Sequence, residues 1–230
     1  HVANLLAFKP DETIAQVIAI SDYKSHPFLA IATRGGIVKK SPLIEYDSPR
    51  SGGLIAINLK ESDEVVSAAL LSETDEILLV SKNGMSLRFG ANEESIRSMG
   101  RSTSGVIGMK FRGKDQLLTM AAISDISSPK FVLTATDGGY AKRTPLDEYR
   151  TQGRGGLGVK AAKIDEDSRG VLVGAMIVEA SDEILAITSG GAVIRTACAE
   201  IRETSRDTLG VRLVNLDEGI SVVSITQVKE

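Results

Sequence analysis

The chain has 230 residues, 42% of them hydrophobic and 25% charged, with 27 basic against 30 acidic side chains and a formal net charge of −3. This is the composition of an ordinary soluble fold, and no apolar run approaches the ~20 residues of a membrane-spanning helix. Cys198 is the only cysteine, and His1 and His26 are the only histidines. An internal disulfide and a Cys-based zinc centre are therefore excluded, and no nucleophile–base pair, carboxylate cluster or metal-ligand spacing suggests an enzyme site.

Residues 1–20 align with the stretch that begins at Gly210. Residues 1–27 are therefore expected to be the second half of a repeat whose first half lies upstream. Four whole repeats follow, at about 28–76, 77–130, 131–183 and 184–230. Each carries the same block: T-R-G-G-I-V-K-K-S from Thr33, S-K-N-G-M-S-L-R-F from Ser81, T-D-G-G-Y-A-K-R-T from Thr136 and T-S-G-G-A-V-I-R-T from Thr188. Aligned on Gly36, Gly84, Gly139 and Gly191, the copies lie 48, 55 and 52 residues apart. A period of this size marks a repeat architecture, each copy being one supersecondary unit.

In the first unit, short runs rich in Val, Ile and Leu predict strands at Phe28–Thr33, Ile37–Ser41, Leu54–Leu59 and Val65–Leu71. Asn83-Gly84 and the Gly-Gly pairs predict two-residue hairpin turns with positive φ at both positions. Pro42 and Pro145 each open a single predicted helical turn, reaching Tyr46 and Tyr149. A second glycine anchor, Gly53, Gly105, Gly158 or Gly210, precedes an alternating apolar stretch in every unit. Four strands per unit of about fifty residues match the blade of a radial β-architecture. The fold class is thus all-β and propeller-like, with four and a half to five blades. The absence of Trp removes the WD and kelch types.

Basic residues recur in register. The first column, four residues after each first anchor, is Lys40, Arg88, Arg143 and Arg195. The second, three or four residues before each second anchor, is Arg50, Arg101, Arg154 and Arg206. Four in register at one column arises by chance on the order of a few times in ten thousand. The segments between anchors hold 13 basic and 9 acidic residues, the remainder 14 and 21. In a radial array those segments project from one side of the blades, so an acidic average is compatible with a basic rim. A ladder of equivalent cations suits a phosphate backbone, and the scarcity of aromatics favours duplex over single-stranded nucleic acid. Lys39, Lys40, Arg50, Arg88, Arg97, Arg101, Lys142, Arg143, Arg150, Arg154, Arg195, Arg202 and Arg206 are the candidate contacts. The plainer reading is that such cations are solvated surface.

Gln152 to Gly158 reads Q-G-R-G-G-L-G. It resembles the Q-R-R-G-G-K-G box of the DNA gyrase A C-terminal domain family, agreeing at Gln152, Arg154, Gly155, Gly156 and Gly158 and departing at Gly153 and Leu157. Some relatives, notably actinobacterial ones, look to carry such a second copy downstream of a principal box. The resemblance extends to the G-G-x-x-K-R-T strands and so spans the chain. It implies a β-pinwheel whose neighbouring blades share strands. It also implies a non-catalytic domain that wraps duplex DNA, within a heterotetramer of gyrase A and gyrase B that introduces negative supercoils. No cofactor is implied in this domain, with ATP and Mg2+ at others, and a cytoplasmic, nucleoid-associated location is expected. The same fold in topoisomerase IV, or a propeller-like protein-interaction scaffold, are the alternative readings. Physically, glycines admit a phosphate close to backbone N–H groups; in a purely structural loop they would serve only positive φ.

Overall fold

The repeated block folds as expected in place but not in detail. In each copy the Ser or Thr at its head starts a tight turn. Gly36 N–H donates to Thr33 O at 2.9 Å, and Gly84, Gly139 and Gly191 repeat the bond to Ser81, Thr136 and Thr188 at 3.0–3.1 Å. The hydroxyl of that Ser or Thr then accepts the N–H after the glycine: Ile37, Met85, Tyr140 or Ala192, at 3.1–3.3 Å. Only the second residue of each Gly-Gly or Asn-Gly pair has positive φ, 77–82° in the four copies. The turn is therefore a three-residue loop closed by a left-handed glycine, not the two-residue hairpin expected. Gly36 is required twice, because a Cβ there would also lie 2.4 Å from Met109 O.

The computed structural model describes residues 12–48 and 53–228. Within them lie four antiparallel sheets. The first holds β1 (Phe28–Thr33), β2 (Ile37–Pro42) and β3 (Val65–Leu71), joined by β6 (Val106–Ile107), in the order β3-β1-β2-β6. The second holds β4 (Glu76–Ser81), β5 (Met85–Gly90), β7 (Leu117–Ile123) and β10 (Val159–Lys160). The third holds β8 (Phe131–Thr136), β9 (Tyr140–Pro145), β11 (Leu172–Val178) and β14 (Val211–Arg212), and the fourth β12 (Glu183–Thr188), β13 (Val193–Ala197) and β15 (Val222–Gln227). The sheets form a ring of propeller-like blades.

The two-residue strands β6, β10 and β14 each come from the following unit. They pair at Ile37↔Ile107, Met85↔Lys160 and Tyr140↔Arg212, the same register three times. Beyond the pairing, the first-anchor carbonyl takes two more N–H groups from that unit: Gly36 O from Gly108 and Met109, Gly84 O from Ala161 and Ala162, Gly139 O from Leu213 and Val214. Strand sharing, expected from the family resemblance, is thus the structural principle. It also corrects one expectation. Leu54–Leu59 forms no strand, because its counterparts pair with the hairpin of the preceding unit, and no strand precedes β1 among the described residues. Residues 1–11 of the expected half-unit lie outside those described, and 12–20 form no strand.

Alternation along the first strands seats the core between blades. Ala30 and Ala32 of β1 pack in one cluster with Ile77 and Leu79 of β4. Leu78 and Val80 meet Val132, and Leu133 and Ala135 meet Ile184 and Ala186. Burying both faces of each blade is the main apolar driving force, at roughly 25 cal/mol per Å².

The proline-opened turns appear as 3-10 turns, Leu43–Tyr46 and Leu146–Glu148, and unit four adds Cys198–Glu200. An unexpected helical turn, α1 (Glu166–Arg169), is capped by Asp165, whose carboxylate accepts Ser168 N–H at 3.2 Å.

Candidate nucleic-acid interface

The linker after each second strand leaves its blade, makes its 3-10 turn where present, and crosses to the preceding blade. Hydrogen bonds from the basic columns fix that path, and they divide the candidate contacts into two groups.

The first group is turned inward. Lys40 is fully buried; its Nζ lies 2.8 Å from Ala91 O, 2.7 Å from Glu93 and 4.4 Å from the Phe28 ring centroid. Lys39 is equally buried and donates to Ala56 O at 2.6 Å and to Arg101 O. Lys142, 1% exposed, donates to Ser205 O at 2.8 Å and Arg206 O at 2.6 Å. Burial pushes both Lys39 and Lys142 down to about 8. Arg88 bonds Leu146 O and Tyr149 O at 3.0 and 3.1 Å and pairs with Glu76. Arg143 donates to Ile201 O at 2.8 Å and stacks on Phe131 at 4.5 Å.

The expectation that these five face a ligand from the surface is corrected. Lys39, Lys40 and Lys142 are sealed from solvent, and the side chains of Arg88 and Arg143 are only 12% and 14% exposed. Each ties its own blade to a linker of the next unit. Only the unit-four member of this column is open: Arg195 is 58% exposed and paired with Glu183.

The second group faces outward. Arg97, Arg150, Arg154 and Arg202 are exposed, and Arg101 and Arg206 are half-buried. Arg50 lies outside the described residues. The second column makes one repeated contact. Nη1 of Arg101 donates to Ile55 O at 2.8 Å, Arg154 to Ile107 O at 3.1 Å and Arg206 to Lys160 O at 3.3 Å. Each acceptor is the second residue after a second-anchor glycine, one unit back. One N–H thus fixes the guanidinium, while its remaining edge stays at the surface. A planar fork held in this way suits bidentate recognition of phosphate.

The Gly-rich loop is partly committed to the protein. Gly155 N–H donates to Gly108 O at 2.6 Å and Gln152 N–H to Arg88 O at 2.8 Å, while Gly156 O accepts Lys110 N–H at 2.9 Å. Gly158, with φ of 74°, approaches Ser86 O so closely that a Cβ would lie 2.0 Å from it. Gly155 therefore does not offer its N–H to a ligand, and Gly158 is needed for blade contact. Gly153, by contrast, has open space around a Cβ position.

Sequence register missed further cations around the loop Ser205–Gly210. Lys160 pairs with Asp207 at 3.1 Å, exposed Lys163 donates its N–H to Thr208 O at 3.2 Å, and Arg169 and Arg212 flank Tyr140. The column holding Lys160 and Arg212 also holds Ile55 and Ile107, so it is basic in only two of four units.

Among the described residues no group of His, Cys, Asp and Glu could hold a metal ion, and no helix is long and apolar enough to cross a membrane. A strand-sharing ring with repeated arginines at its blade junctions defines the class as a pinwheel-type propeller with a cationic linker rim.

The family model of the DNA gyrase C-terminal domain, beta-propeller, matches residues 27–72, 75–124, 130–179 and 182–229, and the chain belongs to that family. It is 60% identical to the DNA gyrase A protein of Streptomyces coelicolor and 54% identical to that of Mycolicibacterium smegmatis, in each case over 99% of this chain. It spans 27% and 26% of the length of those two relatives. Among solved structures, the C-terminal domain of DNA topoisomerase IV superimposes with a TM-score of 0.89 at 28% identity, covering 100% of this chain and 70% of that one. The DNA gyrase A C-terminal domain follows at 0.87 and 25%, covering 98% and 74%.

Proposed function

We propose that this chain binds duplex DNA through its phosphate backbone, with little sequence preference, and bends it around the linker rim. The observation that carries the reading is the repeated placement of Arg101, Arg154 and Arg206, each pinned by one N–H to a shared-strand segment of the preceding unit. Equivalent cations at successive blade junctions contact a curved polyanion at intervals, and such contacts offset the several kcal/mol needed to bend a short duplex. Arg97, Arg150, Arg195 and Arg202 add charge to the same rim, while Gln152, Gly156 and Arg154 present the outer side of the Gly-rich loop. Lys39, Lys40, Lys142, Arg88 and Arg143 act beneath it, holding the linkers.

Membership of the gyrase family supports placing this activity within gyrase A. There, wrapping a segment of DNA with a fixed hand lets an ATP-driven assembly of gyrase A and gyrase B introduce negative supercoils. Cleavage and ATP hydrolysis, with Mg2+, belong to other parts of that assembly. The site of action is the bacterial cytoplasm, on the nucleoid. The superposition on a topoisomerase IV domain favours a second reading, in which the same rim steers the choice of DNA crossing without tight wrapping.

The test is a duplex-binding isotherm across a salt series. Affinity that falls steeply with salt and is indifferent to sequence supports the proposal, because each neutralised phosphate releases counterions. A flat salt response overturns it. Topological assays on relaxed circles then separate wrapping from mere binding.

A further inference from the structure

Two guanidinium groups lie against one tyrosine on the outer wall of the third blade, away from both basic columns. Arg212, on β14, is paired in the sheet with Tyr140 of β9. Its Nη2 donates to the phenolic oxygen at 2.5 Å, and its Cζ lies 4.8 Å from the ring centroid. Arg169, the last residue of α1, places its Cζ 4.6 Å from the same centroid and donates Nη1 to Gly210 O.

Neither arginine has a carboxylate within salt-bridge distance among the described residues, whereas Arg34, Arg88, Arg195, Lys130 and Lys160 each do. Asp165 feels the charge of Arg169, but its carboxylate accepts from Ser168. Bringing two unpaired cations to one ring has an electrostatic cost that the ring quadrupole only partly offsets. An anion arriving between them would relieve it.

We infer that Arg169, Tyr140 and Arg212 form a phosphate-binding site that takes a phosphodiester of the duplex. The DNA path then continues from Arg206, on the linker rim, across the loop Ser205–Gly210 onto the outer wall. This inference rests on the duplex-binding reading above and deepens it. The site is preorganised: stacking fixes both guanidinium planes, and backbone and phenol bonds use one N–H of each. The remaining N–H groups are oriented to donate to a phosphate oxygen without further loss of side-chain freedom. Nearby Lys160 and Lys163, both exposed, extend the same positive field.

The experiment compares the intact chain with Arg169→Gln/Arg212→Gln, Tyr140→Phe and Arg34→Gln. Duplex affinity is measured from about 50 to 200 mM salt, and thermal unfolding alongside. For the double variant, affinity should fall several-fold at the low-salt end and the log–log salt slope should shrink by about two, one per lost contact. Tyr140→Phe keeps the ring and should keep the slope, and Arg34→Gln, whose residue pairs with Glu64, should do the same. Inorganic phosphate, tested as competitor and by titration of the unliganded chain, should bind the wild type only weakly; saturation at low millimolar concentration would make free phosphate the ligand and overturn the diester assignment. A double variant with a lowered melting temperature and an unchanged slope would show that the arginines only pin α1 to the sheet. Wild-type protein that fails to bind duplex at low salt overturns the parent reading and this site together. Wild-type binding with an unaltered slope in the variant overturns the site alone.

Discussion

Lys142 donates from Nζ to the main-chain carbonyl of Arg206 at 2.6 Å, so one cation beneath the rim positions another on it. Lys39 makes the same bond to Arg101. The corresponding residue in unit two is Leu87, which lies against the Gly-rich loop, its Cδ1 3.3 Å from where a Cβ of Gly156 would be. The linkers of units two and four are therefore held by an ammonium group, and that of unit three by apolar contact and glycine fit.

These lysines give the fold a pH signature. Burial holds Lys39 and Lys142 at about 8 in the folded chain, against about 10.4 when unfolded. Between those values the unfolded state binds more protons, so stability rises with pH across that window and has no such slope below it. The Lys39→Met/Lys142→Met variant should lack the rise. Urea midpoints at pH 7, 8.5 and 10 check this; parallel profiles for the two proteins would contradict it.

The second-column arginines should behave as equivalents. Arg101→Gln, Arg154→Gln and Arg206→Gln are each expected to reduce the salt slope of duplex binding by about one. Their shared contact with a preceding-unit carbonyl argues against a privileged Arg154. A loss confined to Arg154→Gln would instead make the Gly-rich loop the principal contact.

Glycines in that loop should differ sharply. Gly158→Ala forces a Cβ into the Ser86 carbonyl at positive φ, for a cost of about 3 kcal/mol from left-handed strain and overpacking. Gly153→Ala has open space and should change stability by less than about 0.5 kcal/mol. Chemical denaturation of the two variants measures the contrast.

Cys198 should be inert in the native state. It is fully buried, and desolvation pushes its thiol up to about 11. Since the thiolate is the nucleophile, reaction with a disulfide reagent at pH 8 should proceed no faster than unfolding. Rapid labelling of folded protein would refute this.

Much of the fold was legible because the four repeated blocks carry strand, turn and strand chemistry in register. The same repetition misled the reading of Lys40, Arg88 and Arg143. A repeated structural need, tying each blade to the next linker, leaves the same trace in sequence as a repeated ligand contact. Carbonyl acceptors such as Ala91 O and Leu146 O carry no side-chain identity, so nothing in the residue pattern distinguishes a capped cation from a free one. Leu54–Leu59 has strand composition but no strand, because pairing needs an edge, and edge supply is a property of the array. Arg169 and Arg212 went unseen because they converge on Tyr140 from different units, 43 residues apart.

The identical register of the three shared strands has a consequence for how such a chain can change. Ile37↔Ile107, Met85↔Lys160 and Tyr140↔Arg212 are the same joint made three times. A whole unit excised or duplicated between two such joints leaves a donor and an acceptor that still match. Unit number can therefore drift by integers while each seam stays chemically the same, and the circumference offered to a bound polymer changes in discrete steps. Within a seam the tolerance is opposite. A one-residue slip would turn Val106 and Ile107 to opposite faces and move Gly105 away from the Val38 carbonyl it now approaches.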